Sequence, residues 1–135
     1  MKYAILIARL LLGVIFLFFG ANSILHFLPM HPPPGDAGLF LSLLATHKYV
    51  PLLGLIEVAA GILLLVGRFV PLALTLLGPI VVNIFLFHLL FADVRNMLPF
   101  AVLVVLLELF LIFAYRLAFR GIFSAGPETL GSAKL

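Results

Sequence analysis

Four apolar runs dominate the pattern of the chain, at 4–28, 50–67, 70–91 and 97–115, and each holds only a few polar residues. A helix needs roughly 17 to 25 residues to cross the hydrocarbon of a bilayer, and all four runs meet that length. Their boundaries carry helix signals. Pro51, Pro71 and Pro99 each fall in the first turn of an expected helix, where a missing amide hydrogen costs little. Only Arg68 and Phe69 separate the second run from the third, which predicts a tight antiparallel hairpin. The first run follows Lys2 and ends in small residues at "GANS", as a secretory leader does. Arg9 within the run and the lack of an A-x-A site favour a spanning helix instead. The expected fold is therefore all-α: an integral membrane four-helix bundle.

The connections are uneven. The long one, Pro29 to Tyr49, opens with "PMHPPPGD", which cannot be regular helix, and continues as the apolar "AGLFLSLLATHKY". That second part is too short to span, so it is expected as an interfacial helix or a lid over the outer mouth of the bundle, N-capped by Asp36. Pro79 frees the carbonyl of Thr75 and marks a kink in the third span. After Tyr115 the chain gains Gly, Ser and Pro, so the bundle is expected over 1–123 and a cytoplasmic tail over 124–135.

Composition agrees with this pattern. Hydrophobic residues make up 65% of the chain and charged residues 10%, with a mean hydropathy of +1.36. Soluble domains carry about 25% charge, so the natural partner is the lipid bilayer. The net charge of +3 does not point to nucleic acid, because the basic residues stand mostly at the ends of the apolar runs. Lys2, Arg9, Arg68, Arg116, Arg120 and Lys134 fall on one side and Lys48 and Arg95 on the other. Six against two puts both termini in the cytoplasm of a multi-pass protein, expected in the bacterial inner membrane. Cysteine is absent, which excludes disulfides, thiolate metal sites and dithiol redox chemistry.

Candidate chemistry lies in the polar residues inside the spans. With each span centred on the midplane, Glu57, Asn83 and Glu108 fall within about 4 Å of it, Asn22 and His88 roughly 9 to 11 Å toward the outer face, and Arg9 about 10 Å toward the cytoplasm. This predicts a central carboxylate layer with a polar layer above it. Gly54, Glu57, Ala60, Gly61 and Leu64 share one stripe of the second helix, and Arg9, Gly13, Phe16 and Gly20 share one of the first; these small-residue faces are expected to meet. An ionised carboxylate at the bilayer centre costs about 2.5 to 3.5 kcal/mol. Arg9 is the only basic residue in the spans able to form a structural ion pair, with Glu108 favoured by height and Glu57 by the shared faces. The other carboxylate becomes a candidate for proton handling. Asn83 is expected to tie its helix to a neighbour, and His88 to face the layer beneath the long loop.

No phosphate loop, H-E-x-x-H pair or nucleophile elbow occurs, so the chain is not expected to be catalytic by itself. His26, His31, His47 and His88 lie at or beyond the outer end of the bundle without metal-ligand spacing, so no metal site is assigned.

The segments "ARLLLGVIFLFFGANSIL", "PLLGLIEVAAGILLLVGRFVPLAL", "GPIVVNIFLFHLLF" and "LELFLIFAYR" together resemble the DoxX family of small four-helix membrane proteins. Ser23 stands where members of that family often carry lysine. The family is named for archaeal proteins associated with thiosulfate and quinone oxidation, and some members are implicated in oxidative-stress complexes. The resemblance implies first a scaffold or accessory subunit for membrane-associated redox or stress-response partners, with a homo-oligomer as another assembly. The alternative is a site for a quinone or another lipid-soluble ligand in the outer half of the bundle, built from Glu57, His88, Asn83, Asn22 and Glu108. Quinone is the one cofactor that the resemblance implies. Proton-coupled transport, using the same carboxylates, ranks third.

Overall fold

The computed structural model describes residues 1–28, 31–126 and 130. Five α-helices form: α1 (Lys2–Leu25), α2 (Gly35–Thr46), α3 (Tyr49–Val66), α4 (Val70–Leu90) and α5 (Leu98–Ala114). A 3₁₀ segment, Ala92–Met97, leads into α5, and another, Arg116–Phe123, follows it. Positions 127–129 and 131–135 of the expected tail lie outside the described residues.

The chain is a membrane helical bundle. α1, α3, α4 and the continuous stretch Ala92–Ala114 are each long and apolar enough to cross a bilayer. In the most apolar window of each, 22% to 28% of residues are buried, so most of the apolar surface faces outward, as contact with lipid acyl chains requires. The long helices close a ring in the order α1, α3, α4, α5. Leu12, Phe16, Leu64, Leu74, Leu77 and Leu111 are among its fully buried centre. α2 lies against α3 and the Ala92–Met97 segment.

The two small-residue stripes meet, and α1 with α3 makes the most extensive helix contact in the molecule. A methyl group added at Gly20 would lie 2.8 Å from the carbonyl oxygen of Gly54, and one at Gly61 would lie 2.8 Å from the amide nitrogen of Leu17. These are backbone-to-backbone approaches that only glycine permits. Further along the pair, Arg9 closes the seam with its guanidinium over Gly67, where an added methyl would meet Nη1 at 2.7 Å. Gly67 ends α3 with φ 82° and starts the hairpin that Phe69, at φ 55°, completes.

Two boundaries differ from the sequence expectation. The first helix ends at Leu25 rather than Leu28: His26 turns left-handed at φ 55°, and Asn22 Oδ1 accepts a hydrogen bond from the Leu28 amide at 2.9 Å. α2 starts at Gly35, capped by Pro34, so Asp36 is not the N-cap but a first-turn residue whose charge suits the helix dipole. The Arg116–Phe123 segment returns Phe119 to the core, which keeps this stretch with the bundle.

The seam generates a test. Gly20→Ala and Gly61→Ala force α1 and α3 apart and are expected to lower stability by about 1–3 kcal/mol, whereas Gly78→Ala, with open space around it, is expected to leave it unchanged. Thermal unfolding of the three variants in detergent checks this.

Candidate functional site

A cavity of about 630 Å³ opens between α2, α3 and α4. Helical spacing builds its walls. α2 contributes Phe40, Leu41 and Leu44; α3 contributes Leu53 and Glu57, one turn apart; α4 contributes Ile80, Asn83, Ile84, Phe87 and His88, and Phe91 follows at its C-cap. Tyr49, half exposed, stands at its edge where α3 begins.

Aromatic contacts hold α2 over this space. The Phe40 ring lies 5.8 Å from Phe87 and 5.7 Å from Phe91, and Phe87 and Phe91 are 5.1 Å apart. Pairs of this kind contribute about 0.5–1.5 kcal/mol each beyond the area they bury. Phe87 also meets the edge of the His88 imidazole at 5.3 Å, perpendicular to it. At the other end of α2, Gly35 (φ 69°) packs its Cα against the Asp93 carboxylate, which leaves no room for a side chain.

Glu57, Asn83 and His88 form a ladder up this cavity. Counted from the Gly67–Phe69 turn, Glu57 lies about 15 Å along α3, with Asn83 about 21 Å and His88 about 28 Å along α4. Glu57 is half-buried beside Gly20. Asn83 donates Nδ2–H to the Pro79 carbonyl at 2.9 Å, which orients its amide and leaves Oδ1 and the second N–H unused by that bond. Its partner is thus its own helix, not a neighbouring one as expected. His88 Nδ1 lies 2.8 Å from the Ile84 carbonyl oxygen. A carbonyl oxygen only accepts, so Nδ1 carries the hydrogen and Nε2 of the neutral ring is a bare acceptor.

The remaining candidates lie elsewhere. Asn22 is buried and spends Oδ1 on the α1 exit turn, and it does not line the cavity. Glu108 is 3% exposed, sits in the core rather than the cavity, and both its oxygens lack a hydrogen-bond partner. Nor does it share a layer with Glu57. The rings of Phe19 and Phe100 meet at 5.8 Å, which sets the register of α5 against α1. Glu108 then lies two turns, about 12 Å, closer to the terminal end than Phe100 does. Helix stagger, invisible when each span is centred separately, divides the expected carboxylate layer in two.

The ion pair expected of Arg9 does not form. Its guanidinium lies at the C-terminus of α3, where a cation meets the negative end of the helix dipole, and its Nε has no partner. Glu57 is some ten residues, about 15 Å, away along α3. Among the described residues no group of three or more His, Asp or Glu side chains is placed to hold a metal ion. The aromatic wall of Phe40, Phe87 and Phe91 was not singled out from sequence, although the spacing of Phe87 and Phe91 puts them on the His88 side of α4.

The tautomer is directly testable. In ¹⁵N-histidine spectra of the protein in lipid, the neutral His88 ring is expected to show a protonated Nδ1 and an unprotonated Nε2.

No curated protein and no solved structure matches the chain. The DoxX family model matches residues 4–89, which carry α1 to α4 almost entirely, including Glu57, Asn83 and His88, and stop short of α5 and Glu108. With well over half its length matched, and with the four apolar helices found here, the chain belongs to the DoxX family of membrane proteins.

Proposed function

We propose that this protein binds a lipid-soluble small molecule, a quinone or another amphipathic ring compound, in the cavity between α2, α3 and α4. The observation that carries this reading is the convergence of Glu57, Asn83 and His88 on a single space that is otherwise apolar and aromatic. Sites for small molecules combine these features: mostly hydrophobic walls with a few polar groups that fix orientation. Polar side chains facing hydrocarbon are costly, and a ligand that bonds to them offsets that cost. A volume of about 630 Å³ is in the usual range for such sites.

The same observation moves the ligand reading ahead of the accessory-subunit reading that the sequence placed first. Proton-coupled transport drops further, because Glu57 and Glu108 occupy separate layers, with Glu108 closed off from the cavity.

Mass spectrometry of molecules copurifying with the chain in native lipid nanodiscs tests the proposal. The wild type is expected to retain one lipid-soluble species, and Glu57→Gln, His88→Ala and the cavity-filling Leu44→Trp, each checked for folding, are expected to lose it. If the folded variants keep the same small molecules as the wild type, the site reading fails. A protein partner held equally by all four would return the accessory role to first place.

A further inference from the structure

The hydrogen-bonding groups of the cavity are unequal in kind, and this restricts what can fill it. His88 has committed its only neutral-state N–H to the Ile84 carbonyl, so it offers the cavity a lone pair on Nε2. Asn83 has committed one of two N–H groups to Pro79 and retains an acceptor oxygen and one N–H. The Glu57 carboxyl can accept in either protonation state and, when neutral, also donates one O–H. Tyr49 has a hydroxyl that both donates and accepts, but it stands at the exposed edge. Acceptors therefore outnumber donors along the Glu57, Asn83 and His88 ladder, and at His88, beneath α2, acceptance is all the neutral ring can do.

From this we infer that the ligand is a hydroxyl-bearing amphipath, a phenol or ring diol with an apolar tail, and that one O–H donates to Nε2 of His88. The inference rests on the ligand reading above and names the chemical class that the site recognises. A carbonyl oxygen placed at the same point would meet a lone pair with a lone pair. A hydroxyl donates to Nε2 there while its own oxygen remains free to accept, and a second hydroxyl has Asn83 Oδ1 or Glu57 to bond. Asn83 and His88 lie five residues apart on α4 and both line the cavity, so a ring compound held there has a second bonding group in the same space. The Phe87 ring, 5.3 Å from the His88 imidazole, and Phe40 beyond it supply an aromatic surface for such a ring. For a compound that exists in carbonyl and hydroxyl forms, the site selects the hydroxyl form.

The test uses the full chain in nanodiscs, with empty nanodiscs as the partition control, and two probes that differ only in donors: dodecylresorcinol and its dimethyl ether. The resorcinol is expected to bind wild type about tenfold more tightly than the ether, the difference that one to two intramembrane hydrogen bonds make. Leu44→Trp is expected to abolish binding of both. His88→Phe, which keeps the aromatic contact with Phe87 but removes Nε2, is expected to weaken the resorcinol and lose most of the preference, and His88→Gln, which retains an acceptor, to recover part of it. Equal binding of the two probes to wild type, with both blocked by Leu44→Trp, would overturn donor recognition and leave the site standing. Binding of neither probe above empty nanodiscs would overturn the site and this inference with it.

Discussion

The close approach of α1 and α3 is the constraint on which the rest of the molecule depends. In lipid, apolar surface gains nothing by leaving the solvent, so helices associate through packing at short range. Gly13, Gly20, Gly54 and Gly61 make that range accessible by bringing backbone onto backbone. The consequences extend to the site. Gly20 seats the Cβ of Glu57 and so fixes the rotation of α3, which turns the carboxyl toward α4 and α2. Arg9, at the far end of the same seam, covers Gly67 and with it the turn from which α4 departs.

Polar side chains follow a second rule. Ser23 bonds the Phe19 carbonyl, Thr75 that of Pro71, Asn83 that of Pro79 and His88 that of Ile84, every one four residues back on its own helix. Each side chain thereby bonds one donor locally, with a second N–H left over on Asn83, and none of these bonds joins one helix to another. Polar groups often act as glue between membrane helices; in these four all donors but the second N–H of Asn83 are internally spent, and what remains for the surroundings is weighted toward acceptors. The polarity of the cavity is a by-product of how the helices satisfy themselves.

How much of this was legible in the sequence depended on whether the information was local. The spans, the Arg68–Phe69 hairpin and the paired glycine stripes follow from run length and helical phase, and the structure has them. α2 was legible as a short apolar helix, because "PMHPPPGD" forbids helix before it and its length forbids a span. Register between helices was not legible. Centring each span on a common midplane put Glu57 with Glu108, whereas the fourth span begins in the 3₁₀ segment at Ala92, which moves its middle away from Glu108. The side-chain partners of Asn83 and Arg9 were misread for a related reason: each is spent on a carbonyl or a helix end nearby, while the sequence drew attention to charges at similar nominal heights. Within the cavity, Glu57, Asn83 and His88 were visible as polar residues in apolar runs; their convergence needed the fold of α2 over α4.

The two carboxylates show why placement outranks residue type. Glu57 lines a cavity, so its cost can be met by whatever enters. Glu108 sits in the core with neither oxygen bonded, among side chains such as Val104 and Leu111 that offer nothing polar. If ionised, it is a charge without a counterion; if neutral, it is a hydroxyl without an acceptor. In both states the packing of the bundle around it must absorb the deficit. A bundle tied by a dense glycine seam on one side can carry such a deficit on the other, because the stability that holds Glu108 in place is supplied elsewhere in the ring. The cavity side therefore holds the groups able to exchange partners, and the core holds a carboxyl kept in place by packing alone.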